Sequence, residues 1–159
     1  MMNKNIEFIK NLFKQLINQP VRNVELGHGS FITMGFGKDL QKEIILKKKK
    51  EVHIRPEWYL WVYMCFWDLE TADELLATND DDREIIKEAL KQLENKKLLK
   101  LEVLNDTYDM KLEFEGGLTL SLISNNAEDD NEQWMLFTPD DKVLVAGPNE
   151  KISYQDSST

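Results

Sequence analysis

Apolar residues recur at helical spacing in only two stretches of the chain, and elsewhere they alternate as strands do. In the first stretch, residues 3–18, Ile6, Ile9, Leu12, Phe13, Leu16 and Ile17 share one face with Lys4, Lys10, Lys14 and Gln15 between them. This predicts an amphipathic helix ended by Gln19-Pro20, because the residue before a proline avoids helical backbone angles. In the second, residues 81–97, Ile85, Ile86, Ala89, Leu90 and Leu93 form the apolar stripe of a long helix. Acidic residues crowd its start and Lys96-Lys97 its end, as the helix dipole favours. Asp81 with Glu84 has capping-box spacing, and so does Thr71-Ala72-Asp73-Glu74, so a short helical turn is expected ahead of the long helix.

Strands are expected over 21–26 and 30–36, joined by the Gly27-His28-Gly29 turn and closed by Gly37. A third is expected over 43–54, where Lys47 to Lys50 cannot all face a core and belong on a solvated edge or turn. Residues 98–104, 108–115, 118–124, 132–138 and 142–146 then read as strands in meander order. Gly116-Gly117 forms a two-residue hairpin loop and Pro139-Asp140-Asp141 another turn. Asn125 to Asn131 is read as an acidic loop and residues 149–159 as a flexible polar tail.

The segment 57–67 is the most informative. Trp58, Leu60, Val62, Met64 and Phe66 lie on one alternate face, and Tyr59, Trp61, Tyr63, Cys65 and Trp67 on the other. Both faces being apolar predicts a central strand covered on each side, anchoring the core or, on one face, an interface. The whole is expected to be α+β: one domain over 1–148, mainly an antiparallel sheet of about seven or eight strands, with an N-terminal helix and one long mid-chain helix.

Composition narrows the function. With 42% hydrophobic and 31% charged residues the chain has the makings of a core. Its one cysteine, Cys65, excludes an intramolecular disulfide and a cysteine-rich zinc site, which suits a reducing compartment. Residues 1–20 lack the apolar run of a signal peptide, and the longest apolar stretch, 58–67, is about half a membrane span, so a cytoplasmic location is expected. Residues 1–55 hold 11 Lys/Arg against 5 Asp/Glu, and residues 56–159 hold 9 against 24, within a net charge of −9. The acidic part repels membranes and nucleic acid and attracts basic proteins.

Candidate chemistry is sparse. Cys65, His28 or His53, and Asp68 supply a nucleophile, base and orienting group, but a thiol inside an apolar strand acts as a small hydrophobe. His28 between two glycines is read as a turn residue, in a loop whose backbone another group can approach closely. Two histidines without metal-ligand spacing, glycines at 27, 29, 35 and 37 without a following helix, and acidic runs at 80–82 and 128–130 without an EF-hand glycine predict no metal, cofactor or phosphate site. Lys47 to Lys50 with Arg55 would need a broader basic face and stacking aromatics to hold nucleic acid. No catalytic residues are assigned, and a non-enzymatic role is expected.

The motifs Gly27-His28-Gly29-Ser30-Phe31 and Trp58-x-Leu60-x4-Cys65-x-Trp67 resemble a group of small bacterial proteins of unknown function that share a W-x-L-x4-C-x-W strand. The resemblance continues through Phe114-Glu115-Gly116-Gly117-Leu118 and residues 134–148, with Asp68 where that group usually carries arginine. It brings no catalytic residues. In size, acidity and lack of an active-site motif the chain is also similar to immunity proteins of polymorphic toxin systems. The resulting expectation is a protein-binding module, an immunity-type inhibitor that occludes a basic toxin domain. Its expected contact set is Asp73, Glu74, Asp80, Asp81, Asp82, Glu128, Asp129, Asp130 and Trp134, with an outward aromatic between Tyr59 and Trp67 as a further anchor. The alternatives are a homodimer that completes the aromatic strand and a small-ligand-binding protein.

Overall fold

The computed structural model describes residues 4–104, 106–125, 131–148 and 151–157. Among them are two antiparallel sheets and two α-helices, so the α+β class holds, while the strands number eleven and are divided between sheets. The first sheet contains β1 (Val21–Leu26), β2 (Ile32–Leu46), β3 (Lys49–Val62), β9 (Trp134–Phe137), β10 (Lys142–Ala146) and β11 (Ile152–Asp156), in the spatial order β1-β2-β3-β9-β10-β11. The second contains β4 (Phe66–Glu70), β5 (Leu75–Thr78), β6 (Leu98–Val103), β7 (Met110–Phe114) and β8 (Leu118–Ile123), in the order β5-β4-β8-β7-β6.

Period-two burial turns one face of each sheet inward. Met34, Phe36, Trp58, Leu60, Val62, Leu136 and Leu144 from the first sheet join Trp67, Leu69, Leu112, Phe114, Leu120 and Leu122 from the second in one buried cluster. Each such side chain removed from water stabilises the fold by about 1.5–3 kcal/mol. The helices complete the core. α1 (Lys4–Phe13) sets Phe13 edge-on to Trp134 at 5.8 Å and Phe8 edge-on to Tyr154 at 5.1 Å. α2 (Arg83–Lys91) buries Ile86, Ala89 and Leu90 beside β1 and β5.

α2 lies in the connection from β5 to β6, the two edges of the second sheet, and β1 runs antiparallel beside it. Arg83 donates to the carbonyls of Gly27 and Gly29, and the Glu94 carboxylate accepts the Asn23 and Val24 amides. β1 is therefore tied to α2 near both of its ends.

The tryptophan-rich segment is the corner where the chain passes between the two sheets and not a single central strand. β3 ends at Val62, the chain bends at Tyr63 and Met64, whose amides bond to the carbonyls of Gln133 and Glu132, and β4 begins at Phe66 in the other sheet. The buried positions change from 58, 60 and 62 to 65, 67 and 69 across the bend. Both alternate faces read as apolar because each is the core face on one side of the corner.

Other elements depart from expectation. The stretch 43–54 is two strands, since Leu46 pairs with Lys49 across a two-residue turn with positive φ at Lys47 (50°) and Lys48 (67°). Thr71 does not open a helical turn; its hydroxyl accepts the Asp73 and Glu74 amides in the β4–β5 turn. The mid-chain helix is shorter than expected: Asp81 accepts the Thr78 amide instead of capping, and the helix closes before Asn95, whose φ is 68°. β6, β7 and β8 form the expected meander, with Phe114 pairing Leu118 across Glu115–Gly117, but β9 leaves it to pair with β3. Residues 152–156 of the expected tail form β11 along the full length of β10, tied by Lys142 to Asp156 at 2.5 Å. No helix of the described residues is long and apolar enough to cross a membrane.

A candidate protein-interaction face

The outward faces of the two sheets differ in kind. On the second sheet, register aligns Asp68, Ser121, Lys111 and Glu102 in one row and Glu70, Thr119, Glu113 and Lys100 in the next. This is a charged sheet face, on which Lys100 pairs with Glu102 along its own strand at 2.8 Å and reaches Glu113 on the neighbouring strand at 4.0 Å. Burial, reinforced by the neighbouring Glu70 carboxylate, holds the Asp68 carboxyl above the usual aspartate range.

On the first sheet the equivalent rows hold an apolar block across β3, β9 and β10, flanked by Thr33 and Gly35 on β2 and by Ser153 and Gln155 on β11. Tyr59 pairs with Phe137 and Phe137 with Val143, while Trp61 pairs with Met135 and Met135 with Val145. The rings touch: Trp61 and Phe137 are 5.0 Å apart between centroids, and Tyr59 stands edge-on to Trp61 at 5.8 Å. Trp61 is 36% exposed, high for the largest apolar side chain, whereas Val143 and Val145 are buried. Gly35 borders this block because a Cβ there would come within 2.6 Å of the Pro56 ring, which rests against the sheet where the strands leave it.

At Trp61 the block continues into a cleft of about 230 Å³ lined by Gly27, His28, Phe31, Trp61 and Tyr63 among others. Phe31 meets Tyr63 edge-on at 4.4 Å and His28 at 6.4 Å. The loop forming its wall is fixed from several directions. Gly27 donates to the Phe31 carbonyl, the Trp67 indole N–H donates to the Ser30 carbonyl at 2.9 Å, and Arg83 holds Gly27 and Gly29. Ligand pockets usually enclose about 300–1,000 Å³, so this cleft matches one partner side chain better than a cofactor.

The residues of the hypothetical catalytic set are not brought together. Cys65 lies on the core side beside Trp67 and Leu69, while Asp68 belongs to the outward row of the second sheet and His28 to the β1–β2 loop. Burial pushes the Cys65 thiol up to about 12. An aromatic disulfide reagent is therefore expected to leave the native protein unlabelled at neutral pH and to react fully in denaturant, which absorbance of the released thiol reads directly. Rapid labelling of native protein would contradict the burial. Among the described residues no group of His, Cys, Asp and Glu has the arrangement of a metal site.

Asp73 and Glu74 are exposed in the β4–β5 turn, and Asp80, Asp81 and Asp82 are exposed between β5 and α2, so the five flank the short edge strand β5. Glu128, Asp129 and Asp130 lie outside the described residues. Trp134 is corrected from surface anchor to core: it occupies the inward face of β9 opposite Val62, is 1% exposed, and donates its indole N–H to the Tyr108 carbonyl at 3.3 Å. The outward aromatics Tyr59 and Trp61 are where strand alternation places them. Phe137 falls within an expected strand and Phe31 within the Gly27–Phe31 motif, but nothing local to either residue places it beside Trp61 or Tyr63.

No family model matches this chain, and no curated protein or solved structure matches it.

Proposed function

We propose that this protein is a protein-binding module of the immunity type, which inhibits a toxin in the cytoplasm by covering it. The observation carrying this reading is the contrast between the two outward sheet faces. A chain that builds a charged ladder on one sheet has no solvation reason to place Tyr59, Trp61, Met135 and Phe137 together on the other. Large rigid aromatics at the centre of a contact supply most of its energy, in an interface that typically buries about 1,600 Å² in total. The exposed acids at Asp73, Glu74 and Asp80 to Asp82 speed the approach of a basic partner and orient it.

The test is co-expression with the C-terminal domain of a secreted protein, where one is encoded beside this gene, in a host whose growth that domain arrests. The wild-type chain is expected to restore growth, and Tyr59→Ala/Trp61→Ala to restore it poorly at equal soluble expression. Failure of the wild-type chain to rescue would overturn the inhibitor reading. Equal rescue by the double variant would move the contact away from the aromatic face.

A further inference from the structure

Beyond their pairing with β1 and β9, β2 and β3 continue as a two-stranded ribbon from Asp39 to Pro56, paired only with each other. A bulge between Phe36 and Asp39 marks its base, and Arg55 anchors it to Asp141 of the β9–β10 turn at 2.9 Å. Val52 and Ile54 alternate onto one face of the ribbon and are 59% and 65% exposed, the two most exposed large apolar side chains among the described residues. At the tip Lys47, Lys48, Lys49 and Lys50 are exposed, and among the described residues none of them is in an ion pair. Long exposed ribbons with apolar faces are aggregation hazards unless something covers them.

The third most exposed large apolar side chain, Leu75 at 57%, is on β5. Beside it, α2 and β5 frame a groove of about 460 Å³ floored by Leu76, Ile85 and Ala89 and edged by Glu84 and Glu88. Asp80, Asp81 and Asp82 continue the acidic edge toward the end of β5, which is itself the free edge of its sheet. Groove and ribbon are thus complementary twice over. Each has exposed aliphatic side chains beside charge, and although Glu43 faces Val52 across the ribbon, the lysine tip is opposite in sign to the groove's acidic edge.

We propose that the β2–β3 ribbon of one copy docks in the α2–β5 groove of a second copy of this chain. Val52 and Ile54 cover Leu75, Leu76 and Ile85, and the tip lysines face the carboxylates of Glu84, Glu88 and Asp80 to Asp82. The two halves of the contact are different surfaces, so the assembly closes when two copies exchange ribbons reciprocally or when a small ring forms. The separation of charge along the chain, basic before residue 56 and acidic after it, follows this division: the first part supplies the ribbon and the second part the groove. The aromatic face is left free, and Asp80 to Asp82 are the only residues shared with the inhibitor reading, so the Val52/Ile54 variants test this contact and the Tyr59/Trp61 variants test that one.

Sedimentation of the full chain over a range of concentrations, at low and then high salt, tests it. A mass above the monomer that grows with concentration and falls with salt is expected, since exposed charge pairs are screened. Val52→Ser/Ile54→Ser and the tip reversal K47E/K48E/K49E/K50E are each expected to weaken association about tenfold or more. Glu84→Lys/Glu88→Lys is expected to do the same from the groove side. All these positions are exposed, and unchanged melting temperatures separate a lost contact from a lost fold. Mixing the tip reversal with the groove reversal is expected to restore the assembly, because the charges then complement each other again. A wild-type chain that stays monomeric at low salt overturns the proposal. So does an assembly that survives the ribbon variants, one that the mixture fails to restore, or one abolished by Trp61→Ala.

Discussion

Trp67→Ala is expected to cost about 3–5 kcal/mol of folding stability, a large share of the total for a chain of this size. Trp67 is 2% exposed in the core, so truncation removes its packing and leaves a void that the close-packed surroundings fill only in part. It also leaves the Ser30 carbonyl without the indole N–H that meets it at 2.9 Å, loosening the loop from Gly27 to Phe31. Trp67→Phe separates these contributions. It keeps most of the volume and deletes the hydrogen bond, and is expected to cost about 1–2 kcal/mol plus a smaller cavity cost. Urea unfolding followed by far-ultraviolet circular dichroism measures both, with the midpoint falling and the slope unchanged. A loss below about 1 kcal/mol for the alanine variant would mean that Trp67 is not packed as described.

Trp61→Ala is expected to have the opposite profile. Trp61 lies six residues earlier in the chain and just across the corner from Trp67, but its ring points outward and touches Tyr59 and Phe137. Losing those contacts costs about 1 kcal/mol of stability. If the aromatic face is the contact, removing its central ring weakens binding by about 2 kcal/mol or more, roughly 30-fold in Kd. Calorimetric titration of the purified toxin domain against wild type and variant reads this difference. An unchanged Kd, with the fold intact, would remove Trp61 from the interface.

The contrast between these two tryptophans shows where sequence reasoning stopped. Alternation in 58–67 was plain, but a strand that stays in one sheet and a strand that passes between two produce the same run of apolar residues on both faces. Only the bonds of Tyr63 and Met64 to the segment before β9, about 70 residues later in the chain, distinguish them. The lysine run already suggested an edge or a turn, but residues 47 and 48 adopt positive φ without the Gly or Asn that normally marks a two-residue turn, so the sequence left edge and turn undivided. Thr71 misled for a related reason, since the same hydroxyl-to-amide bonds that cap helices also close tight turns. β11 was missed because an edge strand that buries little can be built of polar residues.

The two regular helices and the β6–β7–β8 meander were legible because their patterns are local and repeat over whole elements. Of the site, the exposed acids and the outward Tyr59 and Trp61 could be read in advance. Their grouping with Met135, Phe137, Val143 and Val145 could not, because strand register across a long connection sets it.

That long connection governs how the protein is born. β3 receives its neighbour β9 only after the whole second sheet has been synthesised, so on the ribosome one flank of the strand bearing Tyr59 and Trp61 waits with unmet amides and carbonyls. The second sheet, whose last three strands are sequential hairpins, is expected to form early, because its pairings are local. A nascent chain stalled before residue 134 would hold a finished half and a sticky, unfinished one.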